Sequence, residues 1–227
     1  MKKFKIREII KQNAARAWGI KVILCTLSLM LLGLGCGINV VTAQGADPIT
    51  VFYEGLSKVT GISVGMVASI LNASLVAAVF FISKKYVHIG TVIYIFILGT
   101  FINLGIWIYK SFQIPEVFVW QILFSLLGCL FCFIGLGGFM AVDIGVDPWT
   151  AMAVIISKKM KKSFRIVKIV LDALTLLFGW LMGGRVGIIT LFCVFVGGPI
   201  IQKSYELLDK AFDKVIKSDC KNQIKNE

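Results

Sequence analysis

A single histidine, His88, and twelve acidic side chains are all that this 227-residue sequence offers for acid–base chemistry. That scarcity excludes histidine-rich zinc sets and leaves no nucleophile–base pair of the usual kind. Charged residues make up 16% of the chain, well below the roughly one quarter of an ordinary soluble domain. Prolines number four, so few breaks interrupt long helices. Six cysteines would be enough to staple a secreted domain, but Cys25, Cys36, Cys129, Cys132 and Cys193 fall in apolar runs and Cys220 in a basic tail. Cys129 and Cys132 share a helix face, yet further metal ligands are lacking, so they read as small packing residues. No metal site, cofactor or enzymatic activity is expected.

What remains is apolar: 58% of the residues are hydrophobic. Runs at 20–41, 64–83, 89–109, 117–142, 166–182 and 186–201 are each long enough to cross a hydrocarbon core of about 30 Å as a helix. The first is too long for a signal-peptide core and five follow it, so it reads as an anchor kept in the mature chain. The net charge of +12 is a topology signal and implies no nucleic-acid partner. With the amino terminus inside and six crossings, only Lys58, Lys110 and Arg185 face outward, a bias of roughly seven to one. Both ends and the central basic loop are therefore expected in the cytoplasm, with the chain in a bacterial cytoplasmic membrane.

The ends carry apolar side chains at helical spacing among lysines. Phe4, Ile6, Ile9, Ile10 and Trp18 do so in segment 1–19, as do Leu207, Leu208, Ala211, Phe212, Val215 and Ile216 in segment 203–227. Such segments lie in the interface and favour anionic lipid on the cytoplasmic leaflet.

The phrase Gly-x-Asp-Pro-x-Thr occurs twice, at Gly45 and Gly145. At the same offset of one hundred, Gly35 and Gly37 meet Gly135 and Gly137, and Ser57-Lys58 meets Ser157-Lys158. Ser63, Val67, Leu71 and Ala73 likewise meet Ser163, Val167, Leu171 and Ala173. A fixed-period match of this kind marks an internal repeat. The fold class expected is all-α: a polytopic membrane protein of about six crossings in repeats 20–110 and 117–202, joined by a linker at 111–116. Each repeat has three crossings, an odd number, so the second enters from the opposite side. Inverted-topology repeats of this sort recur in secondary transporters, with the solute near the midplane at the repeat interface.

Asp followed by Pro is a helix start, because the carboxylate accepts orphan amides and Pro has none to satisfy. The roughly ten residues after each phrase are too few to cross a bilayer. These short helices either lie at the interface or dip back into the protein. If they dip back, Asp47 and Asp147 with Thr50 and Thr150 face a central cavity; otherwise they are inherited caps. Asp172 lies deep in a predicted crossing, where an ionisable group is a candidate for function. The structural alternative is a pair with Lys168 one turn earlier. Its repeat counterpart is Asn72, also polar; Asn39 and Asn103 are weaker candidates. Gly61-Ile62-Ser63-Val64-Gly65 matches the hydrolase elbow in letters alone, without a strand before it or a histidine near it, and reads as a span-opening turn.

Gly45-Ala46-Asp47-Pro48, Gly55-Leu56-Ser57, Thr60-Gly61 with Ser63 and Gly65, and Gly90-Thr91 together resemble the YczE family of bacterial integral membrane proteins, itself related to the YitT-like group. The resemblance is good over 31–103 and fainter over 135–198, where residues 160–165 replace the glycine-serine turn. It implies a membrane protein with a duplicated plan and carries no activity across. Two functions follow from the residues. One is a small-solute transporter or facilitator, with Asp47, Thr50, Asn72, Asp147, Thr150 and Asp172 lining its site. The other is a non-transporting scaffold or accessory subunit, which binds lipid or a partner protein. A homo-oligomer is compatible with either.

Overall fold

The computed structural model describes the backbone of residues 2–113, 115 and 117–226, and the side chains of 16–113, 115 and 117–215. The described chain is built of helices: α1 (Lys2–Thr42), α2 (Pro48–Thr60), α3 (Val64–Ile82), α4 (Ile89–Ser111), α5 (Phe118–Val142), α6 (Pro148–Met160), α7 (Phe164–Leu181) and α8 (Ile188–Asn226). A 3-10 turn at Lys84–Tyr86 joins α3 to α4. Five stretches are long and apolar enough to cross a membrane: Arg16–Thr42, Val64–Ile82, Ile89–Ser111, Phe118–Val142 and Ile188–Val215. The apolar run at 166–182 forms α7, which is 18 residues long and carries three charges in that length, Arg165, Lys168 and Asp172, so it offers no equally uncharged window. The chain is a multi-pass membrane protein, and large apolar side chains such as Phe81, Phe96, Trp107 and Phe195 point outward, as a lipid environment allows.

Of the apolar residues at the two ends, Phe4, Ile6, Ile9, Ile10 and Ile216 have side chains outside those described, as has Cys220. Within the described part, Trp18 is exposed and Phe212 packs against the core.

Local sequence explains the short helices. Asp47 holds an extended backbone and accepts from the Thr50 amide at 3.2 Å, with Pro48 in the first turn. Asp147 does the same for Thr150 at 3.0 Å, ahead of Pro148. Each carboxylate satisfies one of the orphan amides of its helix. Gly61 ends α2 in the left-handed region (φ 72°), and Lys161 ends α6 in the same region (φ 53°). Ala43 and Asp143 are likewise left-handed after α1 and α5, at φ 61° and 52°. Ser63 and Ser163 then cap α3 and α7. At 13 residues each, α2 and α6 rise roughly 20 Å, short of the hydrocarbon thickness.

The core is a seam of α1 against α4 and α5, extended by α8 on α5. Glycine makes it possible. A Cβ on Gly35 would collide with the Gly128 carbonyl and lie 2.8 Å from the Cys132 amide. A Cβ on Gly135 would lie 2.5 Å from the Leu32 amide and 2.7 Å from the Ser28 carbonyl. These are the same contacts with the two halves exchanged. Gly37 meets Ile102 and Gly105 of α4, while Gly137 meets Ile201 and Ser204 of α8. Loops exchange too. The Ile189 amide donates to the Gln44 carbonyl (3.1 Å), and the Gly90 amide to the Ile144 carbonyl (3.1 Å). Each short helix packs on a long helix of the other half, α2 on α7 and α6 on α3.

Two glycines of α1 test this packing by contrast. Gly35→Ala forces backbone apart at α1–α5 and is expected to cost about 1–3 kcal/mol. A methyl group on Gly19 would meet no atom within 4 Å, so Gly19→Ala is expected to be neutral or to stabilise by up to about 1 kcal/mol. Unfolding of the two variants in detergent checks the difference.

Candidate functional site

Three helices from both halves meet at one phenol. Tyr53 of α2 is buried, and its Oη accepts from Trp149 Nε1 of α6 at 2.9 Å and from Asn72 Nδ2 of α3 at 3.0 Å. Its own O–H donates to Asn72 Oδ1 at 3.2 Å. Phe52 stands edge-on to Trp149 at 6.1 Å, and Tyr94 of α4 packs on Phe139 of α5 at 5.4 Å. A buried polar cluster of this kind is stable only when its members are paired, and these are.

The expected site residues divide around this cluster. Asn72 has no exposed surface and is committed to Tyr53; Thr50 is buried one turn into α2. Asp47, Asp147 and Thr150 are half-buried at the starts of α2 and α6. Each Asp uses one carboxylate oxygen for its cap, Oδ2 in Asp47 and Oδ1 in Asp147. Asp172 is bound to Lys168 at 2.7 Å, and about a third of each side chain is exposed. The intrahelical pair that would give Asp172 a structural role is thus made.

Two groups escaped sequence reasoning. Tyr53 sits where the second copy has Ala153, a difference that could have drawn attention to it. Glu54, a lone acid in a short apolar helix, is 7% exposed and takes two cations. Lys58 Nζ lies 2.9 Å from it and Arg185 Nε 3.5 Å, while the Arg185 amide donates at 2.9 Å. Lys58 Nζ also donates to the Gly183 carbonyl at 2.6 Å, which ties the end of α2 to the α7–α8 turn. At the end of α6, Lys158 Nζ donates to Tyr86 Oη at 2.8 Å and so holds that phenol's pKa below its ordinary value.

The other two asparagines of the apolar runs, Asn103 and Asn39, find partners within the protein. Asn103 accepts from the Gly65 amide at 3.0 Å and donates to Ser63 Oγ at 3.1 Å, so the serine of the elbow-like turn is a bonded cap. Asn39 donates weakly to Cys129 Sγ at 3.5 Å, and its Oδ1 is buried without a partner. Cys25, Cys36, Cys129, Cys132 and Cys193 are buried free thiols. Among the described residues, no group of three or more His, Cys, Asp or Glu is arranged to hold a metal.

This architecture has relatives. The chain belongs to the family of unknown function DUF6198. That family's model matches residues 19–205, which takes in both Asp-Pro phrases and part or all of every helix. An uncharacterized protein of Haemophilus influenzae is 27% identical over 183 residues, 81% of each chain. The uncharacterized membrane protein YczE of Bacillus subtilis is 24% identical over 191 residues, 81% of this chain and 86% of its own. The uncharacterized protein YyaS of the same organism is 25% identical over 194 residues, 82% and 92% respectively. The resemblance to YczE-like membrane proteins read from the motifs is thereby shown. No solved structure matches the chain.

The phenol is the readiest member of the cluster to test. Tyr53→Phe keeps the ring but strands the Trp149 N–H and the Asn72 amide in the interior. The expected cost is about 1–3 kcal/mol, read as a lower unfolding midpoint in detergent together with a changed tryptophan emission spectrum.

Proposed function

We propose that the chain is a small-solute transporter or facilitator of the bacterial cytoplasmic membrane, built as a 3+3 inverted repeat. The observation that carries this reading is reciprocal packing: Gly35 on Gly128 and Cys132 against Gly135 on Ser28 and Leu32, and α2 on α7 against α6 on α3. Exchange of partners between two copies is what a two-fold relation produces. In this reading α7 also crosses, which completes the six. Its exposed Ile169, Val170, Leu177 and Leu181 support that, since they would face lipid while Lys168 and Asp172 neutralise each other. The short helices are then re-entrant, their starts converge from opposite sides, and Asp47, Thr50, Asn72, Asp147, Thr150 and Asp172 surround the solute.

Topology follows from the same plan. Lys58 and Arg185 share Glu54, which supports their lying on one face, here the outer one. Both termini and the basic loop after α6 are cytoplasmic and attract anionic lipid. Single cysteines labelled from outside intact cells test this: a cysteine at Lys58 should react and Cys220 should not. Reaction of Cys220, or protection of the cysteine at Lys58, overturns this topology, and the same outcome at both positions removes the inverted repeat.

The second reading is a non-transporting scaffold or accessory subunit, and the closed Lys168–Asp172 pair favours it. Two Asn variants, with Asp147→Ala as a control on the cap, separate the readings. Asp172→Asn should stay folded, because the counterpart position carries Asn72, yet lose solute-induced stabilisation or flux in a screen that finds either for the wild type. Asp147→Asn should preserve the cap, whereas Asp147→Ala should cost on the order of 1 kcal/mol. Loss of function in Asp147→Asn at unchanged stability marks the carboxylate as part of the site. If both Asn variants behave as wild type, the scaffold stands.

A further inference from the structure

Two cavities adjoin at the end of the bundle where the apolar stretch of α1 begins, and neither includes a residue of the Tyr53 cluster. The larger, about 590 Å³, is walled by α1 (Trp18, Lys21), the start of α4 (His88, Ile89, Val92) and the residues after α5 (Asp143, Ile144). The smaller, about 190 Å³, shares Lys21 and Asp143 and adds Asp209 and Asp213 of α8. Among the described residues, neither Lys21 nor Asp143 makes an ion pair or a side-chain hydrogen bond. At the opposite end the repeat-related position is closed: Gln121, the counterpart of Lys21, is bonded by Gln44 at 2.7 Å. Among the described residues, the lysine and carboxylate without partners at this end thus have no equivalent at the repeat-related position.

The walls differ in character. The outer cavity is apolar, and it runs onto α4 where Ile89, Val92 and Phe96 are exposed as a lipid-facing side should be. Trp18, 47% exposed, stands at the rim in the manner of an interfacial indole. The inner cavity sets Asp143 and Asp209 beside its one lysine, with Asp213, which has an interaction of its own, at its wall. A ligand that fits must be amphiphilic, present an anion to Lys21 and His88, and present a hydrogen-bonding cation to Asp143. A purely anionic headgroup would be repelled by the inner carboxylates. A quaternary ammonium has no N–H to give them.

We infer that this double cavity seats phosphatidylethanolamine, its phosphate on Lys21 and His88, its ammonium on Asp143, and its acyl chains over Ile89 and Val92. The assignment is independent of whether the chain transports a solute. It also differs in kind from the diffuse attraction of basic ends for anionic lipid, because it selects a zwitterion.

Purified full-length protein in detergent is titrated with short-chain phosphatidylethanolamine, phosphatidylcholine and phosphatidylglycerol of one acyl length, and with water-soluble glycerophosphoethanolamine. The unfolding midpoint is read at each concentration. The ethanolamine lipid should stabilise saturably, at several-fold lower concentration than the other two lipids, and the soluble headgroup should do little. Asp143→Asn should abolish the preference for ethanolamine over choline; Lys21→Gln should weaken the ethanolamine and glycerol lipids together. Asp143→Gly serves as a second carboxylate deletion, since glycine suits the left-handed backbone there (φ 52°). The inference is overturned by equal stabilisation from all three lipids, or by a preference for the glycerol lipid. It is likewise overturned if the soluble headgroup matches the lipid, or if ethanolamine selectivity survives in both Asp143 variants.

Discussion

Backbone can lie against backbone only where no side chain intervenes, and the rest of this molecule depends on that contact between α1 and α5. In a bilayer the burial of apolar surface gives little reason for helices to associate, because lipid tails are as apolar as leucine. Close packing must supply the attraction instead. Gly35 against Gly128 and Gly135 against Ser28 and Leu32 bring the two helices into such contact, and Gly37 and Gly137 bring α4 and α8 onto its flanks. With these four helices fixed, the connecting loops have defined ends. Gln44 can then meet Ile189, and Ile144 can meet Gly90. The short helices inherit their positions from those loops.

Polar groups are admitted to this frame only with partners. Glu54 is held by two cations and an amide, and Tyr53 by an indole and an amide side chain. Each set joins elements distant in sequence, so each also fixes a short helix against the opposite half. A low-dielectric interior makes such sets costly to break and therefore effective in defining one arrangement. Asn39 Oδ1 is the exception among the described residues, buried against Gly128 with nothing to accept.

The fold was largely legible because its determinants are local or periodic. Asp-Pro caps, serine caps and apolar runs act within a few residues, and a fixed offset of one hundred reveals itself by counting. The left-handed residues Ala43 and Asp143 were not legible, since neither is a glycine. Nor was the number of crossings, because α7 has the length of one but carries three charges. The polar cluster was only half visible. Asn72 and the two caps stand out in apolar surroundings, but Tyr53 and Trp149 look like ordinary aromatic residues of a membrane helix. Their importance comes from an encounter across 96 positions, which no local pattern encodes.

Comparison of counterparts shows which constraints apply twice and which once. Backbone features are kept in both copies: the caps at 47 and 147, the left-handed residues at 61 and 161, the close approaches at 35 and 135. Side-chain chemistry is not. Tyr53 faces Ala153 across the repeat, Glu54 faces Val154, and Asn72 faces Asp172. The asymmetry has a steric basis, since Ala153 has no exposed surface and its place offers no room for a second ring without repacking. Helix spacing must be matched on both sides for the loops to exchange, whereas a shared interior needs its polar groups supplied only once. A duplicated frame is then free to carry a single, lopsided cluster: one half supplies the phenol and the buried amide, and the other supplies the indole. The positions where the copies disagree, inside a frame on which they agree, carry the buried polar pairing of Tyr53 and Glu54.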